Sequence, residues 1–80
     1  MTRITVLYFA SLRDAAGVAS EVVDSSEGDL RALYETLRAR HGFALPVDRL
    51  RVAVDGEFAR WDDLLRPDIE VAFIPPVSGG

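Results

Sequence analysis

Ile69-Glu70-Val71-Ala72-Phe73-Ile74 is the stretch on which the fold turns. It reads as a strand that is apolar on both faces apart from Glu70. Such a strand belongs in the middle of a sheet, where both sides are covered. Another stretch, near the other end of the chain, has the same character. Arg3-Ile4-Thr5-Val6-Leu7-Tyr8-Phe9 places Ile4, Val6 and Tyr8 on one face, and Leu7 and Phe9 on the other. It too is expected to be central, with its second face either covered or meeting a partner.

The segments between these two strands follow from local signals. Ala10 to Ala16 suits one or two helical turns ended by Gly17. Residues 19–24 form a second short strand, antiparallel to 3–9. Ser25-Ser26-Glu27-Gly28-Asp29 reads as a helix start, with Ser26 as N-cap and Asp29 completing an approximate capping box. Leu30, Leu33, Tyr34 and Leu37 then give one apolar face. Arg38, Arg40 and His41 fall in the last turn, where the helix dipole favours cations, and Gly42 closes a helix expected over 27–41. Phe43 to Leu50 is a connector containing Pro46. Arg51-Val52-Ala53-Val54 is a third strand. Asp55-Gly56 marks a two-residue type I′ hairpin, so Glu57-Phe58-Ala59 folds back beside it. Trp61-Asp62-Asp63-Leu64-Leu65 is a short turn or 3₁₀ segment. There Trp61 packs under a loop and the aspartates cap the following turn.

The element order is strand, strand, helix, strand, short strand, strand. Setting the two most hydrophobic strands side by side and parallel puts the hairpins outside and the helix across one face. The crossover between them is then right-handed, as such connections nearly always are. This is an α+β fold with a mixed sheet, the β-grasp or ubiquitin-like arrangement. Residues 1–75 are expected to form the domain, and residues 76–80 an extended tail.

Composition excludes much of catalysis. The chain has 80 residues, 49% hydrophobic and 28% charged, as a single globular domain should. It has no cysteine, which removes disulfides, thiolate nucleophiles and Cys-based metal sites. All nine basic residues are arginine. With no lysine there is no P-loop and no side-chain Schiff base. The net charge of −4 argues against nucleic acid. No apolar run approaches the ~20 residues of a membrane span, and no signal peptide is evident; a cytoplasmic location is the expectation. His41, the only histidine, is explained by the helix C-terminus. No bound metal or cofactor is expected.

What remains is the ending, Pro75-Pro76-Val77-Ser78-Gly79-Gly80. Two prolines stop the strand and stiffen the exit. Two glycines make a thin end around which another protein can close. The last group is a carboxylate, inert until joined to a leaving group such as AMP. A frayed terminus is the alternative reading. Phe9, Phe58 and Ile74 are candidates for the sheet face that one helix leaves uncovered, and exposed apolar surface of that kind marks partner sites.

Two stretches carry a resemblance. Tyr8-Phe9-Ala10-Ser11-Leu12-Arg13-Asp14-Ala15-Ala16-Gly17 resembles the "FFA-x-x-R-E-x-x-G" opening of the small, sulfur-carrying subunits of molybdopterin synthase (MoaD-type), and Glu70 to Gly80 resembles their "EVAFFPPVSGG" ending. The resemblance implies a β-grasp protein acting as a co-substrate, without an active site of its own. An E1-like adenylyltransferase would use ATP to activate Gly80, with Gly79 before it. A sulfurtransferase or cysteine desulfurase would supply sulfur for a thiocarboxylate. The tail, Pro75 to Gly80, would enter the active site of a MoaE-type large subunit in a heterotetramer and pass sulfur to cyclic pyranopterin monophosphate. Phe9, Arg13, Phe58 and Ile74 match positions in the contact with that subunit. Carriers for thiamine or cysteine synthesis and ubiquitin-like modifiers are the alternatives. Two departures stand out: Asp55 where Asn is common before the hairpin, and Arg66-Pro67-Asp68-Ile69-Glu70-Val71-Ala72 where "DGDEVA" is usual. The second predicts an altered turn before the last strand.

Overall fold

The computed structural model describes residues 2–26 and 28–76. Its elements are β1 (Thr2–Tyr8), α1 (Ala10–Ala16), β2 (Ser20–Ser25), α2 (Leu30–His41), a 3₁₀ turn (Val47–Arg49), β3 (Arg51–Val54), β4 (Glu57–Phe58) and β5 (Glu70–Ile74). The sheet order is β2-β1-β5-β3-β4. β1 and β5 are the two central neighbours and run parallel, from Thr5 opposite Glu70 to Tyr8 opposite Phe73. The other pairings are antiparallel. The expected β-grasp arrangement is therefore the observed one.

Side chains alternate across the pleat, so this register sorts every strand into two sets. Ile4, Val6, Tyr8, Val23, Val52, Val71 and Phe73 point to the covered side and are buried. There they meet Leu30, Leu33, Tyr34 and Leu37, the apolar face of α2. The connector was expected only to join elements, yet Phe43, Val47 and Leu50 complete this core. Tyr34 stacks on Phe43 and meets Phe73 edge-on at 5.1 Å between ring centroids. Trp61 lies flat against Phe73 at 5.9 Å, so it does pack beneath its loop.

The helix start differs from expectation. α2 begins at Leu30, and its N-cap is Asp29, not Ser26; the Asp29 Oδ1 accepts from the Ala32 N–H at 2.9 Å. The reason is tertiary. A helix leaves its first N–H groups without internal partners, and here the 61–65 turn supplies them. Leu30 N–H donates to the Asp63 carbonyl and Arg31 N–H to the Trp61 carbonyl, while Leu65 N–H donates back to the Gly28 carbonyl. Asp63 does not cap Leu64 and Leu65 as expected. Its carboxylate accepts from the Arg60 N–H, closing the turn from the other side.

The two departures from the family pattern both fall at left-handed backbone. Asp55 (φ 51°) and Gly56 (φ 86°) give the two positive φ values of a type I′ turn. Asp55 also fastens the hairpin to β5: its N–H donates to the Glu70 carbonyl, and its Oδ1 accepts from the Glu70 N–H. Asp68 (φ 64°) occupies the position of the usual glycine, and its N–H donates to the Arg3 carbonyl at 2.8 Å. The turn thus places at its left-handed position one of the side chains that tolerates it.

Candidate functional site

The face of the sheet turned away from α2 carries the other half of the alternation. Pairings place Leu7 beside Ala72, Ala72 beside Ala53, and Ala53 beside Phe58. One row nearer the chain exit, Ile74 sits opposite Arg51. Phe9 follows Tyr8, which pairs with Phe73, so it reaches the same row from the other side. Leu7, Phe9, Ala53, Gly56, Phe58, Ala72 and Ile74 line one shallow depression, apolar apart from Glu70, which also lines it. The structure therefore brings together Phe9, Phe58 and Ile74, three of the residues singled out from the sequence.

Phe9 is not the last residue of β1. It is the extended N-cap of α1 (φ −129°, ψ 151°), and its carbonyl accepts from the Leu12 N–H. The chain then turns at Ala10, whose φ of 49° is left-handed. That turn swings the backbone into α1 while leaving Phe9 45% exposed. Phe58, on the two-residue edge strand β4, is 69% exposed. Such exposure of large rings on a small sheet costs solubility and is characteristic of a docking surface.

β5 ends beside this face at Ile74. Pro75 and Pro76 follow Ile74 directly and, with Phe9, Ala10, Ser11 and Leu45, wall a second groove of about 730 Å³. Arg13 lies on α1, exposed and outside that lining. Val77, Ser78, Gly79 and Gly80, expected to form the working end, lie outside the described residues.

On the covered side of the sheet is a polar cluster that sequence reading missed. Tyr8 OH donates to the Glu21 carboxylate, and His41 Nε2 lies 2.8 Å from the same oxygen. Burial and donation to Glu21 push the Tyr8 hydroxyl well above its ordinary pKa, so it stays a proton donor in the hydrogen bond. Burial acts to raise the Glu21 pKa, but the Tyr8 and His41 hydrogen bonds outweigh it and hold the carboxyl below its usual range. The cluster ties the C-terminal end of α2 to β1 and β2. Nothing in the local sequence signals it, because its members are 13 and 20 residues apart from Glu21.

Among the described residues no group of His, Asp and Glu side chains could hold a metal ion. No buried side-chain polar atom there lacks a hydrogen-bond partner. No described helix is long and apolar enough to cross a membrane. What the arrangement offers is a largely apolar surface with Pro75 and Pro76 at its margin.

Residues 6–80 match the ThiS family. The chain is 34% identical over 86 residues to the human molybdopterin synthase sulfur carrier subunit, covering all of this chain and 97% of that one. Among solved structures, it is similar to a Pyrococcus furiosus chain described as molybdopterin converting factor subunit 1. That likeness has 31% identity and a TM-score of 0.79, and covers 96% of this chain and 100% of the other. The small archaeal modifier protein SAMP1 of Haloferax volcanii is similar at 26% identity and a TM-score of 0.79, covering 98% of this chain and 99% of that one.

Proposed function

We propose that this chain, which belongs to the ThiS family and within it to the molybdopterin synthase sulfur carrier subunits, carries sulfur as a thiocarboxylate on Gly80. The observation that carries this reading is the family match, which runs through the tail to Gly80. The open apolar face beside the tail root supports it.

The chemistry of a carboxylate sets the steps. A Gly80 oxygen attacks the α-phosphorus of ATP on an E1-like adenylyltransferase, and pyrophosphate leaves. The terminal sulfur of a persulfide, made by a sulfurtransferase or cysteine desulfurase, attacks the acyl carbon and AMP leaves. A thiol then cleaves the resulting acyl disulfide, releasing the thiocarboxylate and leaving a disulfide on the donor side. The chain has no cysteine, so the sulfur and the reducing thiol both come from outside it. Docked on the large subunit through Phe9, Phe58 and Ile74, it presents Pro75 to Gly80 to cyclic pyranopterin monophosphate. Two successive transfers build the dithiolene of molybdopterin, in the cytoplasm.

Reconstitution tests this reading. The loaded chain, mixed with the large subunit and the pterin precursor, is expected to yield molybdopterin. Removing Gly80, or adding one residue after it, is expected to abolish the yield without altering the melting curve. A normal yield from the shortened chain would overturn it. The likeness to SAMP1 favours a second reading, a protein modifier. Amide-linked adducts of Gly80 on lysines of other proteins would establish that one instead.

A further inference from the structure

Arg51 begins β3 opposite Ile74, in the row of the open face nearest the tail. Its guanidinium carbon lies 5.3 Å from the centre of the Phe58 ring. A cation over an aromatic face is held in place by the ring's quadrupole, and guanidinium does this well because its planar group is weakly hydrated. The ion pairs of the described residues are Arg3–Asp24, Arg38–Glu35 and Arg60–Asp62, and His41 is hydrogen-bonded to Glu21. Arg51 is in none of them. Glu70, on the same face, stands four residues along β5 from Ile74, roughly 13 Å away at strand rise. Glu57 pairs with Val54 and belongs to the opposite side of the sheet. Besides Glu70, which lines the depression itself, the face therefore carries one exposed, pre-oriented positive charge, Arg51, at the tail end.

We infer that Arg51, stacked on Phe58, is a docking determinant that receives a carboxylate from the partner seated on this face. This rests on the proposed docking to the large subunit, and it specifies that subunit's surface as apolar with one Asp or Glu opposite Arg51. Charge complementarity carries the assignment. Covering the ring strips water from the guanidinium, and an unanswered charge there would oppose binding. A bidentate carboxylate answers it and fixes the register of the tail relative to the partner's active site.

Titration calorimetry of the full chain with the large subunit of the same organism, at low and high salt, tests the inference. R51M is expected to weaken binding roughly tenfold at low salt and to flatten its salt dependence. F58L is expected to weaken binding as well. In the F58L background R51M should cost less than threefold, since the ring no longer holds the cation. Melting curves of the variants should match the parent, because Arg51 is exposed. Parent binding with R51M within twofold of it and an unchanged salt slope would overturn the role of Arg51 and leave the docking face standing. Failure of the unaltered chain to bind would remove the functional reading and this inference together.

Discussion

The two faces of one sheet divide the work of this protein. On the covered face Tyr8, Val71 and Phe73 are almost wholly out of water against α2. On the open face their immediate neighbours Phe9, Ala72 and Ile74 are half-buried or exposed. Residues adjacent in sequence thus have opposite duties, one set holding the fold and the other, in the proposed function, meeting a partner. Both strands look hydrophobic throughout because both duties use apolar side chains. A small domain with roughly 4–12 kcal/mol of total stability tolerates that arrangement only if the exposed set contributes little to folding.

Breaking the covered face should have the largest effect. Phe73→Ala removes a ring that touches Tyr34 and Trp61 and should cost about 3–5 kcal/mol, enough to leave much of the chain unfolded in a urea titration. The matching change on the other face, Phe58→Ala, should alter the urea midpoint little, within about 0.5 kcal/mol. It should weaken association with the large subunit by about 2 kcal/mol, as truncating a central anchor does. A large loss of stability in Phe58→Ala would erase the division between the faces.

Two smaller changes sharpen the account of the covered side. Asp29→Ala removes the cap of α2 and should cost about 1 kcal/mol; Ser26→Ala should cost much less. Glu21→Gln tests the buried-side cluster through its pH dependence. The Glu21 pKa is lowered in the folded chain, so its contribution is complete above the unfolded carboxylate value of about 4.3 and is lost as pH falls through the lower folded value. The parent should therefore lose stability in that acid range. Glu21→Gln should start about 1 kcal/mol lower at neutral pH and show a flatter acid limb. Parallel acid limbs for the two would remove Glu21 from the explanation.

Legibility in the sequence followed the range of the interactions. β5 and β1 were readable because alternation and β-branching are local, and the hairpin because Asp55-Gly56 states its own backbone geometry. The end of α2 was readable at Gly42, which adopts φ 74°. Its start was not, because carbonyls of Trp61 and Asp63 from thirty residues downstream decide where the helix begins. The proposed docking residues Phe9, Phe58 and Ile74 could be named as apolar residues left over from the core. Arg51 could not, since its place over Phe58 and opposite Ile74 exists only once β3, β4 and β5 are in register.

The proposed thiocarboxylate on Gly80 is open to direct measurement. Intact mass spectrometry of the chain after incubation with an E1-like adenylyltransferase, ATP and a persulfide donor tests it most directly. The expected product has one oxygen replaced by one sulfur, localised to Gly80 by fragmentation. A mass that stays unchanged under conditions that load an established carrier would contradict it.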